Sequence, residues 1–273
     1  MELKKATHNK MFIGTMAITC FFAITAALYQ MGSYEDVWKD MKSIGGFRQE
    51  ISLYSKWMSI ERSSMGAICF YYLLPLLAAF PYGWGYLAEK QSGYYKSLIV
   101  IGGKTFYYIN KYLVTFLVGG MVILIPQIIN FVMIATVIPA QLPNIHFFPY
   151  YGIMEGDIWA NLFYSKPLLY VFLYFILDFI FAGLFACISL ACSMLIENKI
   201  AVLLIPYFLV LLLHYGKAVT YYKVYYELSP LNFLGAKAPE NTACWWIILL
   251  EGIIFFVLSA SVTAITAWKK ELI

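Results

Sequence analysis

The chain has 273 residues, of which 62% are hydrophobic and 12% charged, against the roughly 25% charged residues of soluble proteins. Folding in water is excluded on that ground, and a formal charge of +4 with no basic stripe excludes a nucleic-acid partner. Several windows of about 20 apolar residues are each long enough to cross a hydrocarbon core of roughly 30 Å. The short connections between them leave no room for a soluble catalytic domain, and the composition describes one polytopic all-α integral membrane domain, residues 1–273.

Six spans are expected in chain order: 11–29, 65–81, 111–138, 167–193, 199–215 and 244–267. Helix is the spanning form because each segment must satisfy its own backbone in lipid. Lys4, Lys5 and Lys10 before the first apolar run give the N-terminus the look of a secretory signal. The run from Met11 to Tyr29 is longer than the usual h-region of about 7–15 residues, so it reads as an uncleaved first span. Pro75, Pro126 and Pro206 fall inside expected spans, where each frees a carbonyl and favours a kink.

With the N-terminus inside, Lys and Arg divide ten to nine between the inner and outer sides, so the positive-inside rule barely discriminates. The outer connections are then 30–64, 139–166 and 216–243, and the main inner one is 82–110. In the first, Trp38, Met41, Leu53, Trp57 and Ile60 give a rough amphipathic pattern, read as one or two helices at the membrane surface or a solvated connector. The second is rich in proline and aromatics and carries His146, Glu155 and Asp157.

Side chains that could carry chemistry are few. Cys20, Cys69, Cys187, Cys192 and Cys244 lack the spacing of a disulfide framework or zinc site. The three histidines have no metal-ligand partner four residues on, and no nucleophile elbow occurs, so the chain is read as non-catalytic with no metal or cofactor of its own. Gly103-Lys104-Thr105 imitates the end of a phosphate-binding loop, but position 98, where that loop needs glycine, is Leu98. Asp178 and Glu251 stand inside spans, where a carboxylate costs about 2.5–3.5 kcal/mol. Each is either a residue of a translocation pathway or gate, or an interhelical tie, and Tyr174 lies one turn before Asp178 as a candidate donor. Ala182 and Ala186, and again Ala260 and Ala264, repeat small residues at a spacing that permits close helix packing.

The inner connection allows an amphipathic helix from Tyr86 to Lys96, with Glu89, Lys90 and Lys96 polar and Leu87, Tyr94 and Tyr95 available for docking. Residues 74–81 (LPLLAAFP), then Ala88-Glu89-Lys90 with Gly93, Tyr94 and Lys96, then Tyr107-Tyr108 with Lys111-Tyr112, resemble the ABC-2 type permease subunits of bacterial ABC exporters. Residues 162–170 (LFYSKPLLY) and 229–234 (SPLNFL) are also similar to small members of that family, although Gly102-Gly103-Lys104 replaces the serine-arginine often found before its third span.

The resemblance implies a type V (ABCG-like) exporter transmembrane domain with six helices, in a bacterial plasma or inner membrane, both termini cytoplasmic. It implies a dimer of permease chains with two copies of a separate ATPase that holds ATP and Mg. It also implies a coupling helix drawn from Tyr86, Leu87, Glu89, Lys90, Gly93, Tyr94, Tyr95 and Lys96, and export of a peptide or other amphipathic cargo. A non-transporting sensor or assembly subunit, and a secondary transporter, are the alternatives from other classes.

Overall fold

The computed structural model of the chain describes residues 2–44, 51–147, 151–153, 157–220, 227–236 and 244–269. Glu155, Lys223, Lys237, Lys270 and Glu271 lie outside them. The described residues form helices α1 (Glu2–Thr7), α2 (Lys10–Ile44), α3 (Leu53–Lys56), α4 (Met65–Tyr72), α5 (Leu74–Ala79), α6 (Gly85–Ser92), α7 (Tyr94–Gly102), α8 (Lys104–Ala135), α9 (Ala160–Ser165), α10 (Pro167–Leu195), α11 (Lys199–Thr220), α12 (Pro230–Phe233) and α13 (Trp245–Lys269).

Five of these helices are long and apolar enough to cross a membrane, within Lys10–Asp36, Lys104–Ala135, Pro167–Leu195, Lys199–Gly216 and Trp245–Trp268. The expected span at 65–81 is instead two short helices, α4 and α5, broken at Leu73. The physical reason is Pro75, which sits in the first turn of α5 and has no N–H to carry the α4 ladder forward. Leu77 still bonds the Leu73 carbonyl at 2.9 Å, so the path continues past the break. Pro126 and Pro206, by contrast, sit within unbroken helices. The first span is longer than expected, since α2 continues through residues 30–44.

Helices α8 and α10 form the centre. In α10, 61% of the apolar window is buried against the rest of the chain, whereas in α11 and α13 the figure is 22%, which places those two at the lipid-facing periphery. Close approach of α8 to α10 depends on small residues: a Cβ at Gly119 would stand 2.5 Å from the Cβ of Ala186 and 3.2 Å from the Ala182 carbonyl oxygen. The Ala182/Ala186 repeat is therefore a packing seam. Hydroxyls along the spans satisfy themselves on the preceding turn: Thr15, Thr115, Ser259 and Thr263 each donate to the carbonyl four residues earlier.

In the first connection, residues 51–60 do not lie free at a surface but form part of a cap on the end of the bundle away from the N-terminus. Leu53, Trp57, Met58 and Ser59 are buried, and Trp57 meets Phe131 and Phe175 edge-on at 6.3 and 5.3 Å. The Met58 amide donates to Asn130 Oδ1 of α8 at 3.0 Å, and the Ala236 amide donates to Ser59 Oγ at 3.0 Å. The amphipathic pattern of residues 51–60 thus faces the bundle, because its apolar side covers aromatic rings of α8 and α10 and its backbone finds partners there. Residues 229–234 (SPLNFL) join the same cap through α12.

Candidate functional site

At the end of the bundle that holds the N-terminus, the chain makes two sharp turns. Gly93 closes α6 and opens α7 with φ 73°, a left-handed conformation that costs a residue with a Cβ about 1–2 kcal/mol. Gly103, between α7 and α8, also has a positive φ of 80°, but with an extended ψ of 149°. The single helix expected from Tyr86 to Lys96 is consequently a helix–turn–helix, and the reason is Gly93.

The turn is held to the bundle by a buried ionic cluster. Lys111 has no exposed surface and reaches three oxygens: Glu89 Oε1 at 2.8 Å, the Tyr82 hydroxyl at 2.9 Å and Glu2 Oε1 at 3.0 Å. Glu89 is itself 4% exposed and also takes Lys5 at 2.6 Å and the Tyr107 hydroxyl at 2.5 Å. Tyr82 donates its own proton to Glu2. The two lysines and two carboxylates balance in charge, and every charged group has more than one partner, the condition under which buried ion pairs are tolerated. Lys5 also stands 4.7 Å from the centre of the Tyr94 ring, so one side chain of α1 touches both sides of the Gly93 turn.

The cluster perturbs its members in opposite senses. Burial raises the Glu2 carboxyl, but Lys111, the Tyr82 hydroxyl and Lys5 together outweigh it and hold the group below its ordinary 4.5. Burial, then the hydrogen bond to Glu2 and the negative charges of Glu2 and Glu89, push the Tyr82 phenol far up, so it stays a donor.

The other expected docking residues divide. Tyr86 and Leu87 are buried inside the chain, Tyr86 against the rings of Tyr95 and Tyr108 at 6.4 and 6.0 Å. Leu87 and Glu89 therefore face inward, into this chain. Lys90 pairs with Glu197 at 2.7 Å on the loop between α10 and α11. Gln91, Ser92, Gly93, Tyr94 and Lys96 are the exposed side of the turn.

Asp178 and Glu251 lie apart from this site. Asp178 is fully buried, accepts from the Tyr71 hydroxyl at 3.2 Å and from Gln127 Nε2, and so ties α4, α8 and α10 together. Tyr174, the donor expected from its spacing, packs instead on Tyr170 and Trp159 at 4.9 and 5.4 Å. Arg62 of the cap formed by residues 51–62 and 227–236 lies over the Tyr71 ring at 4.2 Å and donates to the Leu231 carbonyl at 3.0 Å. Glu251, 8% exposed on α13, has Glu227 of the same cap as its neighbouring charge.

Glu2, Tyr82, Tyr71, Gln127 and Arg62 were not singled out from sequence, and Lys5 and Tyr107 entered there only through the N-terminal basic run and the family resemblance. The available signal was Lys111 itself, a lysine within a long apolar helix that demands a counter-charge. No group of three or more His, Cys, Asp or Glu able to hold a metal ion occurs among the described residues.

The fold and its hydropathy define the chain as a multi-pass α-helical membrane protein. Comparison with known proteins adds no relative, since no family model, curated protein or solved structure matches the chain.

Proposed function

We propose that the chain is the permease subunit of an ATP-driven exporter in a bacterial plasma or inner membrane. ATP and Mg are held by a separate ATPase present in two copies, and a second permease chain completes the assembly. In this reading both termini face the cytoplasm and the cargo is a peptide or other amphipathic molecule.

The supporting observation is the ionic cluster, which joins the α6–α7 turn to a central span. A turn fixed only by lipid contact would slide when pushed. One fixed through Glu89 and Lys111 carries a displacement into α8, which packs along α10. Nucleotide need then only favour one position of the turn over another to shift the bundle between two states. The cargo class rests on the aromatic-rich interior and on the family resemblance.

The test uses the exposed side of the turn, because reversing Glu89 would break the cluster and confuse docking with stability. The full-length chain, purified from native membranes, is expected to carry a nucleotide-hydrolysing subunit whose ATPase activity is several-fold lower with Tyr94→Ala/Lys96→Glu. The double variant should insert normally. A chain purified without any ATPase, or an activity indifferent to the double variant, sinks the reading and favours a sensor or assembly subunit.

A further inference from the structure

Helices α8 and α13 meet at Tyr112, whose hydroxyl lies 2.8 Å from Ser259 Oγ and whose ring meets Phe256 edge-on at 6.2 Å. Toward the N-terminus of α8 and the C-terminus of α13, the small side chains Ala260, Ala264 and Ala267 leave a groove of about 580 Å³ between them. Ile109 and Leu113 line its other wall. Both are about half exposed, so the groove opens sideways toward lipid.

Its mouth has a different chemistry. Lys104 and Thr105 stand on one side and Trp268, 87% exposed, on the other. A bare tryptophan at the end of a span marks the level where headgroups begin. Among the described residues, Lys104 Nζ reaches the Trp268 carbonyl, at 3.4 Å, and no carboxylate lies within ion-pairing distance of it. The sequence then continues with Lys269, Lys270 and Glu271, two basic residues to one acidic. The basic side chain is thus placed where a phosphate would sit if an acyl chain lay along Ile109 and Ala264.

We propose that this groove is a binding site for one anionic phospholipid of the leaflet facing the chain's N-terminus. Its phosphate is held by Lys104 and the hydroxyl of Thr105, and an acyl chain lies between α8 and α13. The alanine repeat on α13 then serves a different purpose from the one on α10: at Ala182 and Ala186 small residues admit another helix, and at Ala260 and Ala264 they admit a lipid tail. Gly103-Lys104-Thr105, which fails as a nucleotide loop, serves an anion of another kind.

Native mass spectrometry of the full-length chain tests this, with phosphatidylglycerol and phosphatidylcholine of identical acyl chains added in turn. The wild-type chain is expected to retain phosphatidylglycerol about fivefold better, the preference one lysine near a membrane surface supplies. Lys104→Gln should bring the ratio close to one while some binding of both lipids persists. Ala264→Trp, which fills the groove, should remove the adduct for both. An unchanged ratio in Lys104→Gln overturns the proposal, and that variant is at the surface, so folding is not at stake. Loss of a dimer in Ala264→Trp with lipid adducts untouched also overturns it, and assigns the groove to a second copy of the chain.

Discussion

Breaking the Glu89–Lys111 pair should destabilise the chain in a way that depends on its two other members. At separations of 2.8 and 3.0 Å, Lys111 is attracted to Glu89 and to Glu2 by roughly 5–6 kcal/mol each in a medium of effective dielectric about 20. Desolvation of several kcal/mol per ion offsets most of that, and losing the sole partner of a buried charge costs about 3–5 kcal/mol.

Here neither charge has a sole partner. Glu89→Gln leaves Lys111 with Glu2 and Tyr82, and Lys111→Met leaves Glu89 with Lys5 and Tyr107. Each single variant should therefore cost about 2–3 kcal/mol, below the full penalty. The double variant removes one positive and one negative charge together and should cost about 3 kcal/mol, giving a coupling near 2 kcal/mol. Unfolding of the full-length chain in micelles by sodium dodecyl sulfate, followed by tryptophan fluorescence, measures all four forms. Singles below about 0.5 kcal/mol, or a double equal to their sum, would refute the shared-cluster account.

Three further outcomes follow from the same geometry. Because the folded Glu2 carboxyl lies below its ordinary 4.5, its contribution is complete above that pH and is lost as pH falls through the lower folded value. The stability gap between wild type and Glu2→Gln should hold steady from pH 7 to 5 and close below about 4.5 in the same titration. Gly93→Val forces a β-branched residue to φ 73° and should cost about 1–2 kcal/mol, with Gly93→Asn costing roughly half, since Asn tolerates that region. Asp178→Leu strands Gln127 and Tyr71 and should cost about 3 kcal/mol, whereas Asp178→Asn keeps an acceptor for both and should cost under about 1.5 kcal/mol. Equal losses for the two Asp178 variants would show that charge, not hydrogen bonding, holds that junction.

Hydropathy alone located α2, α8, α10, α11 and α13, because lipid imposes a length and a composition that few other environments demand. The 65–81 segment has the composition of a span, yet Pro75 and the neighbours of Leu73 decide whether it runs unbroken. The turn at Gly93 was visible as a glycine, but its left-handed conformation depends on where α6 and α7 dock. Lys111 signalled that a counter-charge existed without naming it, since Glu2 lies 109 residues away and Lys5 and Glu89 are separated by 84. For residues 51–60 the apolar stripe was legible and its partner was not: lipid and a protein interior select the same side chains. Asp178 shows the same limit, as its donors come from α4 and α8 and not from Tyr174 on its own helix.

The cap away from the N-terminus has an evolutionary consequence. Connectors usually absorb sequence change more freely than the elements they join. In this chain Ser52 bonds the Gln141 carbonyl, Ser59 receives the Ala236 amide and Arg62 holds the Leu231 carbonyl, so the three connectors fasten one another. Leu249, Ile253 and Leu258, by contrast, are half exposed on α13, and exposure of that kind asks only for a hydrophobic side chain. Drift in this lineage should accumulate on such exposed faces of the peripheral spans, and the cap residues that make these bonds should keep their spelling.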